Sequence, residues 1–377
     1  MKAKILTSVA LFAVVSLAAN AQPSSMHQTY QPGNPAFTPP SHNVEWTRIA
    51  LESPDEFYVT EEAKRIADNV LLYQRDIGGW QKNTGFHVEL TQEQKDNLIA
   101  NKGRTDDITI DNNAVYMEMY YLAKMYNATG IERYKDGFLK GLNYIFESQY
   151  ENGGWPQIYP NKNRTNYSAC VTFNDDATVN MLTILKGIAE RDELYAFVDD
   201  PMLLERSKDG LKRGIDVILK TQIRLNNGVL TGWCAQYDEV TLEPAAARVF
   251  EPAGISGEEG AGIVMFLMSF DNPTPEMRQA IDAAVKWFEG AKITGIRVEN
   301  FVGENGRPDR RVVPDPDAAP YWARFYDIET GEPFFAGRDS IKRATFAEIE
   351  QERRAGYNYY VRTPQEMLDL YQEYVKR

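Results

Sequence analysis

Cysteine and histidine are nearly absent from this chain. Two cysteines, Cys170 and Cys234, and three histidines occur in 377 residues. Two cysteines provide one disulfide or two thiols, and nothing here has the spacing of a zinc or haem motif. His27 and His42 fall in a proline-rich stretch near the N-terminus, which leaves His87 alone and argues against histidine-based catalysis. The apolar run from Ile5 to Ala18 is shorter than the roughly 20 residues a membrane span requires. Basic residues are outnumbered, 41 Lys and Arg against 54 Asp and Glu, for a net charge of −13. So acidic a protein repels nucleic acid and anionic membranes, and neither is expected as a partner. An anionic substrate would need local cations, either a divalent metal or clustered arginines, to overcome that field.

The N-terminus reads as a targeting segment. Lys2 and Lys4 precede the apolar run, and Ala19-Asn20-Ala21 supplies a small-residue cleavage pattern, so residues 1–21 are expected to direct export. Residues 22–44, with Pro23, Pro32, Pro35, Pro39 and Pro40, read as an extended linker. Residues 45–377 then read as one catalytic domain.

A long internal repeat organises that domain. Gly78-Gly79-Trp80-Gln81-Lys82-Asn83, Gly153-Gly154-Trp155-Pro156-Gln157 and Gly232-Trp233-Cys234-Ala235-Gln236-Tyr237 place tryptophans 75 and 78 residues apart. Each turn closes a helical stretch with a glutamine just upstream: Gln74, Gln149 and Gln222. Helices of this first type are predicted over 60–75, 131–149 and 203–223, with a partial fourth over 274–289. A second type starts polar and continues apolar, over 113–126, 176–191 and 259–270. Its starts are Asp111-Asn112-Asn113, Asn174-Asp175-Asp176 and Ser256-Gly257-Glu258-Glu259. Repeats of this length stack so that each buries its neighbour's apolar face. The pattern predicts an all-α fold, an α/α toroid of about three helix pairs. A last helix is predicted over 364–376. The segment 298–360, rich in Pro, Gly and aromatics, is expected to lie irregularly over the cleft.

The polar starts carry more oxygen than a helix cap requires. Asp and Asn at such positions commonly accept from free backbone N–H groups. Two adjacent oxygen-bearing side chains at the same corner of successive repeats would also suit a hard cation such as calcium. Asp111 and Asp175 are therefore metal candidates as well as caps. Trp155 and Tyr237, with Lys82, Asn112 and the neighbouring amides, are candidates for a sugar-lined cleft, although a tryptophan turn also packs well as core. Arg248, Arg324 and Arg338 stand among prolines and aromatics. Singly each is consistent with a fork that pins loop carbonyls; together they suit recognition of carboxylates.

At these residues the chain resembles the pectate lyases of polysaccharide lyase family ten. The matching segments include Gly79-Trp80-Gln81-Lys82-Asn83, Ile110-Asp111-Asn112, Phe173-Asn174-Asp175-Asp176-Ala177, Arg248-Val249-Phe250-Glu251-Pro252, Ala323-Arg324-Phe325-Tyr326 and Gly337-Arg338-Asp339. They run from about residue 57 to the C-terminus, and their order and spacing are specific. The resemblance implies Ca2+-assisted β-elimination of polygalacturonate by a protein expected to act as a monomer. It puts Arg248 at the catalytic arginine, Asp111 and Asp175 at the acidic positions of the metal and cleavage site, and Arg324 and Arg338 at substrate-binding positions. One departure is 298–320, which is longer and more charged than the family leads one to expect and bears on subsites. Arginine is a poor base because it is almost always protonated, and Lys82 would be the choice on chemistry alone. The motif match favours Arg248, with activity rising at alkaline pH. A hydrolase using Asp111 and Asp175 as acid and base, and a non-catalytic pectin-binding protein, are the alternatives.

Overall fold

The computed structural model describes residues 41–161 and 166–376. The targeting segment, and the linker up to residue 40, lie outside the described residues. Helix α1 (Ser41–Glu52) begins within the stretch read as linker. Four helices of the predicted first type follow along the chain: α2 (Glu61–Tyr73), α5 (Glu132–Ser148), α7 (Pro201–Thr221) and α9 (Pro275–Gly290). They alternate with four of the second type: α4 (Tyr116–Thr129), α6 (Ala177–Ala189), α8 (Glu259–Met268) and α11 (Thr363–Tyr374). Two short helices, α3 (Gln92–Ala100) and α10 (Gln351–Gly356), lie in the connections.

The two types form two layers. Each first-type helix packs against the next, α2 on α5, α5 on α7 and α7 on α9; the second-type helices pack likewise, from α4 through α6 and α8 to α11. The apolar residues explain the arrangement. Helix α2 buries one stripe, Ala63, Ile66, Ala67 and Val70, and faces solvent elsewhere. Helix α8 is buried almost throughout, as an apolar helix must be.

Four indoles lock the repeat. Each tryptophan of the turns is fully buried, and its Nε1–H donates to a carbonyl in the last turn of the preceding outer helix. The bonds run from Trp80 to Val70 (2.8 Å), Trp155 to Ile145 (2.9 Å), Trp233 to Ile218 (2.7 Å) and Trp322 to Phe288 (2.8 Å). The upstream glutamines add a second tie. Gln74 Nε2 donates to the carbonyls of Gly78 and Gly137, Gln149 Nε2 to those of Gly153 and Gly210, and Gln222 Nε2 to those of Thr231 and Ala280. Each amide thus bridges its own turn to the next outer helix.

Trp322 corrects the repeat count: there are four helix pairs, not about three. A hairpin of β4 (Ile296–Val302) and β5 (Pro308–Pro314) separates α9 from its tryptophan turn and breaks the spacing on which the count rested. The all-α expectation also fails. Among the described residues the other strands are β1 (Val171–Thr172), β2 (Gln236–Tyr237), β3 (Ile255–Ser256), β6 (Trp322–Ala323), β7 (Phe325–Tyr326), β8 (Pro333–Ala336), β9 (Lys342–Arg343) and β10 (Tyr360–Val361). They pair antiparallel as β1–β2, β10–β6 and β3–β7–β8–β9. Most are two residues long, too short to show alternation; β2, β6 and β7 belong to the tryptophan turns, and β1 and β3 lead into the polar corners. The segment expected to be irregular contains β5 to β9 and most of β4, joined by turns and followed by α10. It packs on a second apolar core of Phe250, Phe325, Phe334, Phe335, Phe346 and Tyr359.

Helix α1 is fastened by a buried carboxylate. Trp46 Nε1 donates to Glu118 Oε1 at 2.9 Å, while Glu118 Oε2 is buried without a hydrogen-bond partner. Burial pushes the Glu118 carboxyl up to about 7, against the Trp46 hydrogen bond. The folded chain therefore keeps this proton from about pH 4.5 to 7, where the unfolded chain has released it, so this group's contribution to stability falls as pH rises through that window. Glu118→Gln keeps the acceptor for Trp46 and removes the titration. Denaturant unfolding of the two proteins should match near pH 4 and diverge to about 3 kcal/mol in favour of the variant above pH 7. A pH-independent difference would exclude Glu118 as the source.

Candidate active site

The tryptophan turns carry the chain back to the same end of each helix pair, and there the polar corners meet. Thr109 Oγ1 and Ile110 N both donate to the Gln157 carbonyl, at 2.7 and 3.0 Å, which seats the first corner on the second turn. Phe173 N and Asn174 N both donate to the Ala235 carbonyl, seating the second corner on the third turn. Gly257 N donates to the Arg324 carbonyl at 3.1 Å and seats the third on the fourth. A Cβ at Gly257 would stand 2.0 Å from the Ala323 oxygen, so only glycine allows that approach.

Neither Asp111 nor Asp175 caps a helix. The residues flanking the starts of α4 and α6 are Val115 and Asp176, and neither makes a side-chain cap hydrogen bond. Instead the corners are short 3-10 turns with left-handed backbone at Asn112 (φ 52°) and Asp175 (φ 49°). Such conformations cost about 1–3 kcal/mol each in non-glycine residues and collect at functional sites.

The side chains form a connected acidic ridge. Asp111 is 3% exposed; its Oδ1 accepts from Asn174 Nδ2 at 3.1 Å and its Oδ2 from the ammonium of Lys82. Asn112 Nδ2 donates to Asn83 Oδ1 at 3.0 Å, while its own Oδ1 is buried without a hydrogen bond. Burial and then the charge of Asp175 push the Asp111 carboxyl up, against Lys82. Burial, Glu259, Glu258 and Asp175 push Asp176 up to about 8, against Arg324. In the third corner Glu259 Oε1 accepts from Arg324 Nη2 at 2.6 Å, Glu259 Oε2 from Ser256 Oγ, and Glu258 Oε1 from Thr363 Oγ1 at 2.6 Å. Sequence reasoning missed roles for Glu258 and Glu259, although they are the third copy of the corner that nominated Asp111 and Asp175.

Arg248 is bound to Glu251, which lines a small cleft. Its Nε and Nη2 donate to Glu251 Oε2 and Oε1 at 2.6 and 2.5 Å, and Tyr357 Oη donates to Glu251 Oε1 at 2.8 Å. Burial opposes the charge of Arg248, but the Glu251 hydrogen bonds and charge outweigh it and hold the guanidinium protonated well above its ordinary range. Asn174 of the second corner, Gln236, Glu251, Arg324 and Tyr357 line that cleft. Arg338 is about half exposed, pairs with Glu352 and shares the Phe250 ring with Arg248, at 5.8 and 4.8 Å from its centroid.

Three expected substrate contacts are buried within the fold. Trp155 is fully buried with its indole N–H on Ile145. Tyr237 is 1% exposed; its hydroxyl donates to the Thr221 carbonyl at 2.7 Å and accepts from Cys234 N. Arg324 is 2% exposed and paired with Glu259. The first two close the repeat, and Arg324 balances the acid ridge from beneath. Cys170 and Cys234 are both free thiols.

Among the described residues no three His, Cys, Asp or Glu side chains are grouped to hold a metal by themselves. The oxygens of Asp111 and Asp175, with the unsatisfied amide oxygen of Asn112, are a hard donor set of the kind calcium takes. They fit calcium once a ligand supplies further oxygens.

The chain is similar to known proteins over most of its length. The chain matches the pectic acid lyase family model over residues 74–368. A family 10 polysaccharide lyase from Cellvibrio cellulosa, solved as an aspartate-to-alanine variant with trigalacturonic acid, is similar with 30% identity and a TM-score of 0.73, over 88% of this chain and 97% of that one. A second family 10 structure from the same organism has 29% identity and a TM-score of 0.74, over 94% of this chain and 100% of the other. No curated protein sequence matches the chain. The chain belongs to the pectic acid lyase family, and it is a polysaccharide lyase, a pectate lyase.

Proposed function

We propose that this pectate lyase cleaves de-esterified homogalacturonan by calcium-assisted β-elimination, leaving 4,5-unsaturated oligogalacturonides. The observation that carries the reading is the pair of corner aspartates, neither used as a cap, whose charges act on one another. The trigalacturonic acid bound by the Cellvibrio relative supports an acidic polysaccharide as substrate. Asp111 and Asp175 would hold the calcium. When bound, it neutralises the uronate carboxylate and so makes the adjacent C5 proton more acidic.

The chain's own residues supply positioning and proton transfer. Lys82 fixes Asp111 and, with Asn112, lies where a sugar's polar groups can be met. Arg338, exposed beside Phe250, presents a fork to a uronate carboxylate. A neutral Arg248 takes the C5 proton, the C5–H electron pair becomes the C4–C5 double bond, and the glycosidic oxygen leaves C4 with its bonding pair and is protonated by water. Because Glu251 holds Arg248 charged at rest, the reactive form becomes more abundant as pH rises. Export is proposed as well, from Lys2, Lys4 and the run to Ala18.

Polygalacturonate with calcium should give rising ultraviolet absorbance from the unsaturated product, and a chelator should abolish it. Reducing ends released without absorbance would indicate hydrolysis and overturn the elimination. Asp175→Ala and Asp111→Ala should lower turnover by orders of magnitude. Thermal melting should not show the roughly 1 kcal/mol that loss of a helix cap costs. Stable and fully active variants would remove both residues from the site. Arg338→Ala should raise KM about 10- to 100-fold, the equivalent of one charged hydrogen bond at about 1.5–3 kcal/mol, with kcat little changed. Steady-state kinetics on oligogalacturonates distinguishes that outcome from a fall in kcat alone, which would count against a binding role.

A further inference from the structure

Arg248 stands in a turn that is closed on itself. Glu251 N donates to the Arg248 carbonyl at 2.7 Å, Arg248 N donates back to Glu251 Oε2 at 3.2 Å, and Ala247 N donates to the Glu251 carbonyl at 3.0 Å. The same carboxylate takes the guanidinium at two points and the Tyr357 hydroxyl at a third. Glu251 is 8% exposed and Tyr357 4%, while a quarter of the Arg248 side chain meets solvent. The guanidinium is therefore the exposed end of a buried assembly. Its face rests on Phe250 (4.8 Å) and Tyr357 (5.9 Å), and Phe250 meets Tyr357 edge-on at 5.3 Å. The fork is fixed in direction by rings as well as by hydrogen bonds.

We propose that Glu251, held by Tyr357, is a positioning residue for the elimination: it aims Arg248 and stabilises the positive charge that Arg248 gains. The proposal rests on Arg248 being the base. When neutral Arg248 removes the C5 proton it becomes a guanidinium. The electron pair left at C5 forms the C4–C5 double bond, and the leaving oxygen carries off the C4–O pair. Positive charge thus appears on Arg248 during the step, beside a fixed and desolvated carboxylate, where an opposite charge counts most. Tyr357 completes the device by donating to that carboxylate, which moderates its pull on the arginine. The other groups around the pair are Arg353, over Phe250 at 4.5 Å; Arg324, over Tyr357 at 5.5 Å and neutralised by Glu259; Arg338, paired with Glu352; and Tyr167. Glu251 takes the Arg248 fork at both Nε and Nη2.

Two variants shift the balance in opposite directions. Glu251→Gln keeps an oxygen for the fork and removes the charge. The rising limb of kcat against pH should move to lower pH by about one unit or more, as loss of an adjacent opposite charge implies, and the plateau should fall. Tyr357→Phe removes the moderating donor, and the same limb should move to higher pH by about half a unit to one unit. KM for trigalacturonate or longer oligomers should change less than about threefold in either variant. Glu251→Asp, which restores charge but not reach, should return the limb towards its original position with reduced kcat. A purely structural role would lower kcat evenly at every pH and leave the limb in place, and that result overturns the proposal. Should Glu251→Gln fail to fold, Tyr357→Phe alone decides by the presence or absence of its alkaline shift. Arg248→Ala separates the two layers of inference. If it retains turnover, Arg248 is not the base and the catalytic reading falls first. If it is inactive yet binds oligogalacturonate while neither partner variant moves the limb, only the role of Glu251 and Tyr357 falls.

Discussion

Every repeat depends on the hydrogen bond from a buried indole N–H to a carbonyl in the last turn of the preceding outer helix. The final carbonyls of a helix lack partners within it, and leaving one buried and unpaired costs about 1–3 kcal/mol. Trp80, Trp155, Trp233 and Trp322 each donate to one carbonyl of that last turn, and Gln74 N, Ser148 Oγ and Thr221 Oγ1 donate to the same carbonyls in the first three repeats. The lock forces the chain to fold back over the helix end, so each following corner emerges on the same side of the layers. Three glutamine amides then join each turn to the next outer helix. At the corresponding end of α9, the last of that layer, the residue is Ala291.

That geometry has an electrostatic consequence. It gathers Asp111, Asp175, Asp176, Glu258 and Glu259 along one edge, within a protein that already carries −13. Such a ridge persists only because cations are built in at both ends, Lys82 against Asp111 and Arg324 against Glu259, and because some of its carboxyls resist ionisation. The left-handed backbone at Asn112 and Asp175 points the same way: the fold sustains strain where the side chains are aimed at something other than their own helix. Under the proposed function such a site would draw a divalent cation and, through it and the arginines, a polyanion that the molecule as a whole repels.

The fourth repeat is where chain order and spatial order part. The β4–β5 hairpin and the strands that follow separate Trp322 and α11 from α9 by sequence, although in space they complete the same pair. The detour builds the aromatic core that holds Tyr357 against Glu251 and Phe250 under Arg248 and Arg338. The part of the chain that hides the repeat is also the part that shapes the arginine side of the cleft.

Periodicity and residue type alone were enough to find the eight layer helices, because an amphipathic stripe and a tryptophan turn are local signals. They also nominated Asp111, Asp175, Arg248 and Arg338, which stand in corners and loops between the layer helices. Burial could not be read the same way. Trp155, Tyr237 and Arg324 have the chemistry of substrate contacts, and only packing shows their polar atoms turned inward onto backbone and Glu259. The two-residue strands were invisible because pairing between turns from different repeats is a long-range event with no alternation to announce it. The Arg248–Glu251–Tyr357 assembly was half legible: Arg248 and Glu251 share one motif, but Tyr357 lies 106 residues further on. Local order is encoded within a turn or two of the chain, whereas the solvent exposure and partners of a charge are decided by whichever distant segment packs against it.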